Sequence, residues 1–135
     1  MLIDLLNEVT GGASFFPGAI TAAGPGTVLD MSNGEVSTQA ILDVGTVSGT
    51  TPTLNVQIEE SDDQITWTAI PNMVFNQVTV ANTRQVLRGL RTKRYARANA
   101  TAVGGTSPSF TVGVEILAQK QYVGVGGGFD RSPST

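Results

Sequence analysis

Neither cysteine nor histidine occurs among the 135 residues, and only 14% of the chain is charged. The first absence removes disulfides, thiolate nucleophiles and zinc sites of the usual N/S type, and the second removes the side chain that titrates near neutrality. An average soluble chain is about 25% charged and a disordered one more, so this balance, with 40% apolar residues, describes a folded domain. Gly (16) and Pro (6) are too few for a collagen-like or low-complexity chain. No apolar run approaches the ~20 residues that span a bilayer, so no membrane partner is expected. A net charge of −3 argues against general nucleic-acid binding, which needs a basic surface. The opening MLIDLLNEV carries Asp4 and Glu8 but no Lys or Arg, so it lacks the basic start of a secretory signal, and cytoplasmic synthesis is the expectation.

The sequence divides into three zones. Residues 1–16 are an apolar start passing through Gly11-Gly12, residues 17–121 hold the strand-like sequence, and residues 122–135 are Gly-rich and then Ser/Pro-rich, which reads as a flexible tail. In the middle zone apolar and polar residues alternate in short runs, as in half-buried antiparallel strands. The clearest is LNVQIE at 54–59, followed by a turn at 61–64 and a return strand at 65–70. Further strands are predicted at 18–23, 27–31, 36–47, 73–80, 95–103 and 110–118, with turns at 25–26, 33–34, 49–52, 71–72, 81–83 and 104–108. About eight short strands with regular turns predict an all-β fold, an antiparallel β-sandwich or jelly roll with an extended N-terminal arm and a flexible C-terminal tail.

One stretch is echoed. VSGTTPTLNVQIE at 47–59 aligns without gaps with VGGTSPSFTVGVE at 103–115, an offset of 56 with six identities. Two equivalent hairpins related by pseudo-symmetry are one reading; convergence of hairpin loops on the same residues is the other.

Catalysis needs a poised acid or base, an activated nucleophile or a metal. Paired carboxylates are the remaining route, and Glu59 and Glu115 stand at mirrored places in the echo, which suggests a repeated structural role. The acidic run EESDDQ at 59–64 lacks the alternating ligands and the Gly of a calcium loop; it reads as a solvated hairpin tip in which Asp63 closes an Asx-turn. No enzyme activity, metal or cofactor is expected. Six of the eight basic residues, Arg84, Arg88, Arg91, Lys93, Arg94 and Arg97, fall within fourteen positions. Docking onto an acidic protein surface or across a subunit boundary, and an exposed loop and strand face balanced by nearby Asp and Glu, both fit this cluster. Leu2, Ile3, Leu5, Leu6 and Val9 fit one side of a short helix, marginal on its own, in an arm that orders on a partner; packing back on the domain is the alternative. Phe15, Phe16 and Pro17 would anchor the root of the arm.

From about residue 40 to 119 the order of these pieces resembles a family of small structural proteins of tailed bacteriophages. It is carried by ILDVGTVSGTTPTLNVQIEESDDQITWTAI and by LRGLRTKRYARANATAVGGTSPSFTVGVEIL. The resemblance implies a virion component, foremost a head decoration (cement) protein that binds the major capsid protein and itself as a homo-oligomer, a trimer, with Leu2, Ile3, Leu5, Leu6, Phe15, Phe16 and the basic cluster as partner-binding residues. It leaves open a neck or tail structural protein. A carbohydrate-binding β-sandwich is disfavoured by the few aromatics left over from the core.

Overall fold

The computed structural model describes residues 9–120; the expected arm residues Leu2, Ile3, Leu5 and Leu6 and the expected tail at 122–135 lie outside the described residues. The described chain is all-β: seven strands in one antiparallel sheet, and no helix among the described residues.

Two long strands form its spine. β4 (Gly34–Ser61) and β7 (Tyr95–Lys120) pair antiparallel from Gly34↔Lys120 to Ser61↔Tyr95, with register shifts concentrated between Val44 and Val56. These shifts divide the spine into two wings. In the first, β1 (Val9–Ile20) pairs with the end of β7, and β6 (Thr83–Leu90) pairs with the start of β4, giving the order β1-β7-β4-β6. In the second, β2 (Gly24–Pro25) and β3 (Leu29–Asp30) pair with the start of β7, and β5 (Thr68–Val74) with the end of β4.

Period-2 alternation builds the core. Thr38, Ala40, Leu42 and Val44 are buried opposite Ala118, Ile116, Val114 and Val112 in the first wing. Val56 and Ile58 are buried opposite Ala100 and Ala98 in the second, where small residues on β7 face large ones on β4. Phe110, Met31, Ile70, Met73, Phe75 and Val78 complete one apolar cluster spanning both wings.

The echo is a real structural equivalence, but its segments are not hairpin loops. Both lie inside the continuous long strands and face each other, with Thr50 paired to Thr106, residues separated by the same 56-residue offset that relates the copies. An antiparallel pair has a local two-fold axis, so the echo is this axis written into the sequence. The backbones repeat: Gly49 and Gly105 have φ of 110° and 105°, and Thr51 and Ser107 have φ of 47° and 50°. The Gly-Thr-Ser/Thr-Pro segments are kinks, because two positive-φ residues break the ladder and re-aim each strand.

Other expectations change. The boundary at 16/17 disappears, since Val9 through Phe16 belong to β1, whose Gly11 (φ 125°) approaches so closely that a Cβ there would lie 2.0 Å from the Ile116 carbonyl oxygen. Pro71-Asn72 is a bulge within β5 rather than a turn: Asn72, at φ 67°, resets the alternation so that Ile70 and Met73 both point inward. The return strand expected from Ile65 starts at Thr68, and the strands expected at 18–23 and 27–31 shrink to the end of β1 and the short β3. β6 was not expected. Its half-buried positions are Thr83, Gln85, Leu87 and Gly89 while Val86 and Leu90 face out, so its hydrophobic phase hides the alternation. The turn at 61–64 stands as expected: Asp63 Oδ1 accepts from the Ile65 and Thr66 amides at 2.8 and 2.9 Å, and these bonds, led by Thr66, hold its carboxyl below the usual range.

Candidate interaction surface

The structure separates the basic cluster. Between β6 and β7 the chain crosses from wing to wing, and alternation along each strand sends successive basic side chains to different places.

Arg91 turns inward and is only 7% exposed. Its guanidinium donates to the carbonyls of Gly34, Glu35 and Lys93, its amide donates to the Val36 carbonyl, and its Nε is buried without a partner. Burial pushes its pKa down, against the opposing charges of Glu60 and Asp30. Beside it, buried Glu60 accepts from the amides of Thr92 and Lys93 and from the Thr92 hydroxyl at 2.7–3.1 Å. The two charges fasten the β6–β7 connection to the sheet and are unavailable to a partner.

Arg94 and Arg97 are held on the outer face of the second wing. Arg94 forms a two-point pair with Asp30 (3.0 and 2.8 Å) and lies over the Tyr95 ring at 5.0 Å. The hydrogen bond from Arg94 holds the Asp30 carboxyl well below the usual carboxylate range. Arg97 bonds Glu59 at 3.0 Å and lies 4.1 Å from the centre of the Trp67 ring, while Gln57 and Asn99 donate to the other Glu59 oxygen. Burial pushes the Glu59 carboxyl up, but the bonds from Asn99, Gln57 and Arg97 outweigh it and leave its pKa lowered.

A carboxylate whose pKa is lowered by folding stabilises the fold above its unfolded value, and that stabilisation fades as pH falls through the folded value. Stability is therefore expected to drop below about pH 5. Urea midpoints taken from neutral pH downward should fall less steeply in Glu59→Gln, although that variant starts lower at neutral pH because it loses the Arg97 partner.

The first wing differs. Arg84 pairs with Asp43 at 3.1 Å, both well exposed, an arrangement that contributes at most about 1 kcal/mol. Arg88 is exposed on β6 and forms no ion pair with a described residue. It borders a groove with Val9, Glu35, Ser37, Gln39 and Leu117. Val86 and Leu90 beside it are 47% and 66% exposed. Phe15 packs against the core, whereas Phe16 on β1 is 69% exposed. Of the expected partner-binding residues that are described, Phe16, Arg84, Arg88 and Arg94 are exposed, whereas Lys93 is half-buried with its amide and carbonyl bonded within the Arg91–Glu60 network.

Sequence reasoning missed Ser14, which ties β1 to the second wing: its Oγ donates to the Thr27 carbonyl at 2.8 Å and accepts from the Ala98 amide at 2.7 Å. Only its place two residues after Gly11-Gly12 hinted at it. The echo also stops short at its acids, since Glu59 is covered while Glu115 is exposed. Among the described residues no three His, Cys, Asp or Glu side chains converge as metal ligands. Comparison with protein-family models finds no match, and no curated protein matches the chain.

Proposed function

We propose that this chain is a non-enzymatic virion protein of a tailed bacteriophage that binds the outer capsid surface and bridges neighbouring capsid subunits, its two wings forming the layers of a β-sandwich. The sequence resemblance supports this reading over about 80 residues. The observation that carries it is Phe16. An aromatic side chain 69% exposed stands on β1, a sheet-edge strand, and the chain preceding that strand holds Leu2, Ile3, Leu5 and Leu6. An unpaired strand edge is a template for a strand of another chain, and a neighbouring apolar segment supplies side chains for its pockets. Many such copies on one shell would turn weak single contacts into firm attachment.

Deletion of residues 2–8 tests the reading; removing residues 9–12 as well would take away paired positions of β1. Occupancy on purified capsids at a fixed concentration is expected to fall about tenfold, with the melting temperature within about 2 °C of the parent. Unchanged occupancy would overturn the reading, and binding to purified tails instead of heads would move the protein to the neck or tail.

A further inference from the structure

The internal two-fold gives each outward position on one wing a counterpart on the other. Glu59 and Glu115 are such a pair. On the second wing Glu59 is 6% exposed, its carboxylate bonded by Gln57, Arg97 and Asn99, with Arg97 in turn stacked on Trp67. On the first wing Glu115 is exposed and has no hydrogen bond or ion pair among the described residues. Arg88 lies on the same outer face in the same condition. Between them are Ile41 and Leu117, half-buried, with Val86 and Leu90 alongside. Among the described residues one wing thus covers its carboxylate, while the other leaves a carboxylate and a guanidinium unpaired on either side of a patch formed by Ile41, Val86, Leu117 and Gln39.

The register fixes where these groups stand. Val86 pairs with Ile41 and Ile41 with Glu115; Arg88 pairs with Gln39 and Gln39 with Leu117. Arg88 and Glu115 therefore sit on strands either side of β4, one side-chain row apart, about 12 Å from each other by strand spacing and rise. Their midpoint falls on β4 between Gln39 and Ile41.

We infer that the outer face of the first wing is a self-association surface, which a second copy of this chain covers face to face about a two-fold axis. The axis lies in the interface over β4, between Gln39 and Ile41, and runs perpendicular to the line joining Arg88 and Glu115. It brings Arg88 of each copy onto Glu115 of the other and sets Val86 of each over Ile41 of the other. A face carrying equal and opposite unpaired charges about one point is complementary to itself, as an isologous interface requires. The second copy supplies to Glu115 what Arg97 supplies to Glu59.

The face measures four strands by seven residues, roughly 450 Å². Stable complexes bury about 800 Å² per partner, so the pairing is weak in dilute solution and gains when copies are held side by side on a shell. The inference does not depend on the capsid reading, and its test contains no capsid.

Sedimentation equilibrium of the full chain, carried up to about 1 mM, is expected to show a monomer–dimer equilibrium that weakens with added salt. Arg88→Glu and Glu115→Arg should each weaken it about tenfold or more, and the double swap should restore it to within about threefold, because the charges then meet with their signs exchanged. Restoration by the swap also shows that the single variants were folded. A monomer at every concentration, a trimer, or single variants that associate like the parent would overturn the inference. So would association that appears only after residues 2–8 are removed, since the chain's own N-terminal segment would then occupy the face.

Discussion

Gly105→Ala is expected to lower the unfolding free energy by about 3 kcal/mol, and Gly49→Ala by the same amount within error. Both glycines sit at φ above 100°, where an L side chain is strained whatever its size. Space is denied as well: a Cβ on Gly49 would stand 2.7 Å from the Ser107 carbonyl oxygen, and one on Gly105 would stand 2.7 Å from those of Thr50 and Thr51. These atoms belong to the backbone of the facing kink, so neither can yield without moving the other. The neighbouring positions should respond in the opposite sense. Thr51 holds a left-handed conformation that costs a β-branched residue about 1–2 kcal/mol, so Thr51→Gly is expected to gain about 0.5–1 kcal/mol after the entropy lost by adding a glycine. Urea midpoints at constant m-value check all three, with a shift in melting temperature of about 10 °C for either alanine variant. Equal losses at Gly49 and Gly105 would establish that the kinks are one feature used twice; a loss at only one would sink that equivalence.

Arg91→Met should cost as much, about 3–4 kcal/mol. The substitution leaves the carbonyls of Gly34, Glu35 and Lys93 without the donor that now satisfies them, and leaves Glu60 without its neighbouring positive charge. Methionine matches the stem in volume, so the loss is one of hydrogen bonds and charge rather than packing. Arg91→Lys is expected to recover less than half of it, because an ammonium cannot reach three carbonyls that a planar fork spans. By contrast, Arg88→Met should leave stability within about 0.5 kcal/mol, since Arg88 contacts no buried acceptor. Thermal unfolding of the three variants side by side separates the reading of Arg91 as an internal strut from the sequence-level view of six equivalent surface charges.

That contrast marks how far the sequence could be read. The all-β class was legible, because Leu54-Val56-Ile58 and Phe110-Val112-Val114 alternate in clear phase. The echo was legible as a repeat but not as a pair of mid-strand kinks, since Gly-Thr-Thr-Pro describes the local dihedrals and these serve a hairpin tip or a kink alike. β6 was hidden because Val86 and Leu90 point outward, which inverts the usual phase. The basic cluster was visible as a run in the chain, but its division among a core strut, two stacked pairs and a bare surface arginine depends on acids 31 to 64 residues away: Glu60 beside Arg91, Glu59 bonded to Arg97, Asp30 bonded to Arg94. No local pattern encodes which distant carboxylate meets which guanidinium; the pairing of β7 with β4 and with β3 decides it.

The register of β1 on β7 has a mechanical corollary. Val9 is paired with Gln119, so the described chain begins and ends at one corner of the sheet. Tension applied between the two ends opens the β1–β7 pair from Val9 inward and, because β7 also ends on β4 at Gly34↔Lys120, loads only that corner of the β4–β7 ladder first. Load spread across the faces instead crosses that ladder along its whole length. A sheet built this way resists load spread broadside, yet opens from the corner where the described chain begins and ends. The same closeness means that a short linker from 120 back to 9, with new ends opened in the exposed 62–66 turn, would yield a circular permutant that keeps every strand pair of the sheet.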